Sequence, residues 1–424
     1  MQDPGVECSV STDLGHSATA RLSDPVRGWF EASFPEGPTP AQAMAWPPVA
    51  AGEHVLLISP TGTGKTLAAF LAILDRLFRA HAAGTLTPGL QCVYVSPLRS
   101  LNYDIERNLA TPLAEIGRRL ELDASPIRLG VRTGDTSAYH RRKLRDNPPH
   151  ILITTPESLA LLLSQASWQA HWRTVEHLIV DEVHALAPTK RGADLAVSLE
   201  RLAAQADRDP CRVGLSAICR PDEAIARFLV GTSRRCRVLE APPPAGTPPI
   251  EITVESLLRP DESPHRGLSY RRLMRCLRRV IDQNRTTVVF ANTRAFAEKI
   301  THDLRQAVVS GQWSVVSQDP IGQPEASPGR PDETEWLISA HHSALDAQRR
   351  RTIEAELKSG AIRAVVTSTS LELGVDIGTA DLAVQVGLPG GVARCVQRVG
   401  RSGHRRGAAS RGLLLAATPA ELVG

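Results

Sequence analysis

The chain has 424 residues, room for two or three domains at about 150 residues each, and its 42% hydrophobic and 22% charged content supports large cores and excludes wholesale disorder. A formal net charge of +4 does not mark a nucleic-acid binder in bulk, so any such role must come from local patches. Seven scattered cysteines, none in CxxC spacing, exclude a disulfide framework or zinc site and fit a reducing cytoplasm, and no apolar run reaches the roughly 18 residues of a membrane span.

The opening stretch, 1–24, carries acids and lacks an apolar centre, so it reads as a flexible tail rather than a signal peptide. From 25 to 240, short apolar runs alternate with longer helical patterns: "VLLI" (55–58), "QCVYV" (91–95), "HILIT" (150–154), "HLIV" (177–180) and "CRVGL" (211–215). Runs that are apolar nearly throughout are strands buried on both faces, and their alternation with helices implies a parallel sheet covered on both sides. "APPPAGTPP" (241–249) is too rich in proline for a helix or central strand, so 241–262 reads as a linker. The alternation resumes over 263–424 with "TTVVF" (286–290), "EWLIS" (335–339), "RAVVT" (363–367), "DLAVQV" (381–386) and "GLLL" (412–415), interrupted by an exposed Pro/Gly-rich loop at 317–333. The expected architecture is two α/β domains in tandem.

Residues 59–66 read S-P-T-G-T-G-K-T between a strand and the helical "TLAAFLAILDRLF", close to G-x-x-x-x-G-K-[ST] with Ser59 in the first glycine's place. Thr61, Gly62, Thr63 and Gly64 would curl the backbone so that successive N–H groups face one anion at a helix N-terminus. Lys65 would reach the outer phosphates, and the Thr66 hydroxyl would ligate magnesium. "HLIVDEVHAL" places Asp181 and Glu182 at the carboxyl end of a buried strand, the edge where such sheets bind ligands. Asp181 would share the magnesium with Thr66, and Glu182 would orient and deprotonate an attacking water, with His184 two residues on.

"SPTGTGKT" with "DEVH" resembles the DEAD/DEAH-type helicases of superfamily 2, and further blocks agree in order. "FPEGPTPAQ" (34–42) is similar to their adenine-reading Q motif. "VSPLRSL" (95–101), "RTGDT" (132–136), "TTPESL" (154–159) and "GLSAICRP" (214–221) stand where the first motor domain has its strand and coupling blocks. "VVFANTR", "AHHSAL", "TSTSLELGVDIG" and "QRVGRSGH" complete the set in the second. Several blocks, "KRGADLAVSLERL" and "TSLELGVDIG" among them, are closer still to the large helicase-related (Lhr) family.

The resemblance covers about residues 25 to 420 and implies two tandem RecA-like domains with ATP in the cleft between them. It implies that Gln42 reads the adenine edge with Phe34 or Phe30 stacking nearby, that Asp376 meets the ribose, and that Ser216 and Ala217 link ATP state to strand grip. Arg401, and secondarily Arg398, would be arginine fingers, since a guanidinium stabilises charge on the leaving phosphates. It further implies 3′ to 5′ movement and a DNA-repair setting. Three departures stand out: Ile218 replaces the threonine of Ser-Ala-Thr, His404 stands in place of a final arginine, and the sequence stops where Lhr-like proteins continue into a winged helix.

Strand contacts are expected at Arg99, Ser100, Thr154, Thr155, Asn292, Arg294, Thr367 and Ser368, whose hydroxyls and neighbouring amides suit phosphates and sugars rather than base edges. Each serine or threonine taken alone is equally a helix cap. "YHRRKLRDNPPH" (139–150), "RRLMRCLRR" (271–279) and "GRSGHRRG" (400–407) are dense basic patches, the second reading as a solvated helix face with Leu273, Leu277, Val280 and Ile281 turned inward. His341 and His342, adjacent after a strand, point to opposite sides and suit packing or coupling better than a metal. Two functions remain: an ATP-driven motor on single strands of DNA or DNA/RNA hybrids, and an ATP-regulated clamp that binds nucleic acid without unwinding it.

Overall fold

The computed structural model describes residues 18–60, 62–97, 99–217, 221–243, 249–258, 266–313, 337–372, 380–403, 409–418 and 421, with the side chains of 99–104, 266–268 and 347 outside that description. Thr61, Ile218, Asp376, His404, the loop 317–333 and most of the expected tail therefore lie outside the described residues, as do the side chains of Arg99 and Ser100. The chain divides into two compact units, Met1–Ala245 and Gly246–Gly424.

The first unit is built on a seven-stranded sheet of β1 (Val55–Ile58), β2 (Cys92–Val95), β3 (Leu129–Arg132), β4 (Ile151–Thr154), β5 (His177–Val180), β6 (Cys211–Ser216) and β7 (Arg237–Glu240). Their spatial order is β3-β4-β2-β5-β6-β1-β7, with every pairing parallel. Its inner strands are buried at every residue because helices cover both faces, which is why they read as continuous apolar runs. The helix Lys65–Ala82 packs Phe70, Leu71, Ile73, Leu74 and Phe78 into one core layer; the opposite layer gathers Leu159, Trp168, Trp172, Leu195 and Leu199.

The second unit holds a six-stranded, all-parallel sheet of β8 (Glu251–Ser256), β9 (Thr287–Phe290), β10 (Ile338–His341), β11 (Ala364–Thr367), β12 (Leu382–Val386) and β13 (Arg411–Ala416), in the order β10-β11-β9-β12-β13-β8. The tandem α/β architecture expected from the alternation is thus present. The helix Arg266–Gln283 carries the basic stretch 271–279 and buries Leu273, Leu277, Val280 and Ile281, while Arg279 pairs with Glu255 at 2.6 Å and Arg272 holds the Leu257 carbonyl.

Three strands have no counterpart in the sequence reading. β3 ("LGVR"), β7 ("RVLE") and β8 ("EITVES") carry at most alternate buried residues, because β3, β7 and β8 lie at sheet edges with one side uncovered. Continuous apolarity finds buried strands, the edge strand β10 included, and passes over β3, β7 and β8, whose residues are largely exposed or half-buried. The stretch 241–262, expected as linker, therefore contains β8. The chain leaves the first sheet where the Ala241 N–H donates to the Ile58 carbonyl and has joined the second by Glu251. Among the described residues, Cys92, Cys211, Cys236, Cys276 and Cys395 are free thiols, and no helix is long and apolar enough to cross a membrane.

Candidate nucleotide and strand site

β1 ends in the loop that begins the site. Pairing with β6 continues one residue past the strand, where the Ser59 N–H donates to the Ser216 carbonyl at 2.9 Å, so the loop leaves the sheet beside the Ser216–Ala217 turn. Gly62 and Gly64 both adopt the left-handed region, at φ of 80° and 76°, and Gly64 starts the helix Lys65–Ala82. The Thr63 hydroxyl lies 2.6 Å from the Ser59 hydroxyl and 2.8 Å from the Pro60 carbonyl, which knots the loop internally. The Lys65 ammonium donates to the Ser59 and Pro60 carbonyls at 2.8 Å each, inside the curl whose amides suit an anion.

A second brace comes from the helix Pro40–Ala50. Thr39 and Gln42 form a capping box at its start, in which the Gln42 Oε1 accepts from the Thr39 N–H at 3.0 Å. The Thr39 hydroxyl also donates to the Thr63 carbonyl at 2.8 Å, and a Cβ on Gly64 would sit 2.5 Å from the Gln42 Nε2. Gln42 is thus buried against the phosphate loop. Of the two aromatic candidates, Phe30 is core, packed edge-on against Trp46, whereas Phe34 is 41% exposed with its ring against those of Phe30 and Trp29.

Asp181 and Glu182 follow β5, two strands from β1 in the sheet. The Tyr94 hydroxyl, rising from β2, donates to Asp181 Oδ2, and the Glu182 N–H donates to Oδ1 at 2.9 Å. Burial, and next the Glu182 charge, push the Asp181 carboxyl up, while the Tyr94 hydrogen bond and then the Lys65 ammonium pull it back. Glu182 itself holds a φ of 50°, a left-handed conformation that costs a β-carbon residue about 1–2 kcal/mol. That turn aims its carboxylate at His184, with Glu182 Oε2 3.5 Å from Nε2, and His184 Nδ1 lies 3.0 Å from the Ser216 hydroxyl. A relay of polar groups therefore runs from the acidic pair to Ser216, next to Ala217.

In the second unit, Arg398 and Arg401 stand on the helix Val392–Val399 and the turn after it. Arg398 is buried: it donates to Glu372 Oε2 at 3.0 Å and to Gln385 Oε1, and its guanidinium lies 5.3 Å over the Phe290 ring. Arg401 donates to the Glu372 backbone carbonyl at 3.0 Å, and Arg394 reaches the other Glu372 oxygen at 2.7 Å. Glu372 therefore fixes both proposed fingers. Sequence reading passed over it, and its one signal was an acid in "TSLELGVDIG" upstream of an arginine-rich helix. Thr39 and Tyr94 escaped for the same reason, since each acts through a partner distant in sequence.

The expected strand contacts fall into two groups. Thr154, Thr155 and Thr367 are buried: the Thr154 hydroxyl donates to the Arg132 carbonyl at 2.6 Å, Thr155 caps the helix Pro156–Leu163, and the Thr367 hydroxyl lies 3.1 Å from that of Ser370. Their side chains serve the fold, which leaves neighbouring amides to face a ligand. Ser368 is half-buried, while Asn292 and Arg294 are exposed after β9, with Arg294 paired to Glu298 at 2.8 Å. His341 bonds Ser370 through Nδ1 and Glu354 through Nε2, while His342 meets Glu298 at 3.0 Å.

Residues 39–224 match the DEAD/DEAH box helicase family and residues 330–406 the helicase conserved C-terminal domain. The chain is 42% identical over 410 residues to the ATP-dependent helicase Lhr-Core protein 2 of Thermococcus barophilus, covering 95% of this chain and 44% of that protein. It is 41% identical to the Lhr helicase/probable uracil glycosylase of Mycolicibacterium smegmatis, over 97% of this chain and 28% of the relative. The solved Mycobacterium smegmatis helicase Lhr, bound to ssDNA and AMP-PNP, matches with a TM-score of 0.78 at 40% identity, over 96% of this chain and 49% of that one. Mss116p, 17% identical with a TM-score of 0.71 over 95% of this chain and 74% of its own, shares the fold alone. Both units are therefore RecA-like domains, and the chain spans less than half the length of the Lhr relatives it matches.

Proposed function

Since the chain belongs to the DEAD/DEAH-box helicases and is of the Lhr kind, we propose that it hydrolyses ATP to drive movement along single-stranded DNA and separation of strands, in a DNA-repair setting in the cytoplasm. The observation that carries this reading is the convergence of the phosphate loop and the acidic pair on Ser216 at one edge of one sheet, the Ser59 N–H on its carbonyl at 2.9 Å and His184, beside Glu182, on its hydroxyl at 3.0 Å. In the proposed reaction, the Lys65 ammonium leaves the Ser59 and Pro60 carbonyls for the outer phosphates of ATP. Asp181 and Thr66 would hold magnesium, a fit supported by two adjacent buried acids at the carboxyl edge of the sheet that carries the phosphate loop; the ion would supply neutralisation of phosphate charge. Glu182 orients a water in line with the terminal phosphorus and takes its proton as the new P–O bond forms and the bond to the bridging oxygen breaks, releasing ADP and phosphate. The His184–Ser216 contact carries the change to the strand-binding turns, and Arg401 stabilises charge on the leaving group.

Glu182→Gln keeps the size and loses the base. Its turnover is expected to fall by about 10²-fold or more while ATP-dependent binding to single-stranded DNA persists; hydrolysis at the wild-type rate would remove Glu182 from the mechanism. A strand-displacement assay on the wild-type protein separates motor from clamp: strand-stimulated hydrolysis without displacement is the clamp's signature.

A further inference from the structure

The helix Ala138–Asp146 ("AYHRRKLRD") follows the edge strand β3, and none of its nine residues is buried. Its inward contact is Leu144, which packs against the core under β3 where Gly130 leaves room: a Cβ there would meet the Leu144 Cδ2 at 2.5 Å. At 100° per residue, Tyr139, Arg142 and Lys143 then fall on the side away from Leu144. Tyr139 is 72% exposed, and among the described residues the ring that meets it is that of the neighbouring His140 at 5.4 Å. Arg141 is spent on the Gly134 carbonyl at 2.7 Å and Arg145 on Asp146 at 2.9 Å, but Arg142 and Lys143 have no partner among the described residues. The helix start is anchored at the carboxyl edge of the sheet. Ser137 caps it, Arg141 ties it to the loop after β3, and Thr154 bonds the last carbonyl of β3.

We propose that Tyr139, Arg142 and Lys143 form an outboard contact for single-stranded nucleic acid, extending the strand track past β3 to the side of the first unit. The inference rests on the helicase reading above. A strand lying across the carboxyl edge and leaving over β3 meets this helix next. Arg142 and Lys143 supply two uncompensated cations for successive phosphates, and the Tyr139 ring supplies a stacking face for an unpaired base. The combination of a bare aromatic face with unpaired cations a helical turn away is what sequence-tolerant single-strand binding requires.

The test is anisotropy titration over a range of salt with two single-stranded DNAs, one of about 8 nucleotides that fills only the motor track and one of about 20 that overhangs it. Arg142→Gln with Lys143→Gln is expected to weaken the long strand about tenfold and to flatten its salt dependence by about 1.4 logarithmic units per decade, leaving the short strand unchanged. Tyr139→Ala is expected to weaken the long strand several-fold, Tyr139→Phe to behave as wild type, and an abasic overhang to abolish the difference. All these side chains are exposed, so folding is unaffected. Equal affinity and salt slope for the long strand in wild type and variants overturns the proposal. So does loss of polyglutamate binding in parallel with DNA and without a Tyr139 effect, which would mark a non-specific cationic surface. Failure of the wild-type protein to bind either strand overturns the helicase reading instead, so the two outcomes are distinct.

Discussion

Gly62 and Gly64 hold nearly the same backbone angle for different consequences. Around Gly62 there is nothing within 4 Å of an added Cβ, so Gly62→Ala meets only the left-handed backbone penalty, about 1–2 kcal/mol. At Gly64 the same penalty is joined by contact with the Gln42 amide, which can move only by giving up its capping bond to Thr39, about 1 kcal/mol more. Gly64→Ala is therefore expected to lower stability further than Gly62→Ala and to weaken binding of an ATP analogue about tenfold, because Gln42, expected to read the adenine edge, is pushed from its place against the loop. Denaturant unfolding and analogue titration of the two variants check this. Equal behaviour would mean that Gln42 does not brace the loop.

At the scale of elements, the amino edge of the first sheet is held by neutral histidines. His54, just before β1, accepts the Arg212 N–H through Nδ1 at 3.0 Å, and His150, just before β4, accepts the Arg128 N–H in the same way. Burial is the main cause that lowers both, His150 to about 4, and burial likewise lowers His177 at the start of β5 to about 3. Their ordinary value is near 6.5, so between that pH and about 4 the unfolded chain binds protons that the folded sheet refuses. Stability is then full above about pH 6.5 and falls as pH drops below it. The melting temperature is expected to decline from pH 7 to 5, and His54→Asn with His150→Asn, whose amide oxygens still accept the bonds, to flatten that decline. An unchanged slope in the double variant would assign the acid sensitivity elsewhere.

For the whole molecule, each unit carries its own set of the proposed motor's groups, and Glu372 fixes those of the second. Arg401→Ala is expected to leave binding of an ATP analogue within about threefold while cutting strand-stimulated turnover by about 10³-fold. Arg398→Ala removes one of the two arginines paired to buried Glu372, leaving Arg394 on the other oxygen, and is expected to show first as lost stability, about 1–3 kcal/mol in unfolding. Turnover and unfolding measured on both variants separate a finger from a structural arginine; equal loss of nucleotide binding and turnover in Arg401→Ala would contradict the finger role.

Much of this protein was legible residue by residue. A parallel sheet buried on both faces writes its central strands as apolar runs, and a phosphate loop must be contiguous for its amides to converge, so the two α/β units, the Lys65 loop and the Asp181–Glu182 pair all stand in the sequence as local words. What tertiary structure decided was everything that depends on one side of an element or on a distant partner. The edge strands β3 and β7 are only partly covered, β8 has no buried residue, and all three lack the apolar signature. Thr154 and Thr367 turned out to spend their hydroxyls inside the sheets, and Gly192 in "KRGADLAVSLERL" proved a packing glycine, since its Cβ would stand 2.1 Å from the Leu186 carbonyl oxygen. Periodicity and spacing encode what the chain does to its near neighbours. Burial, and the bond a hydroxyl or carboxylate finally makes, are set by residues tens of positions away that only folding brings alongside.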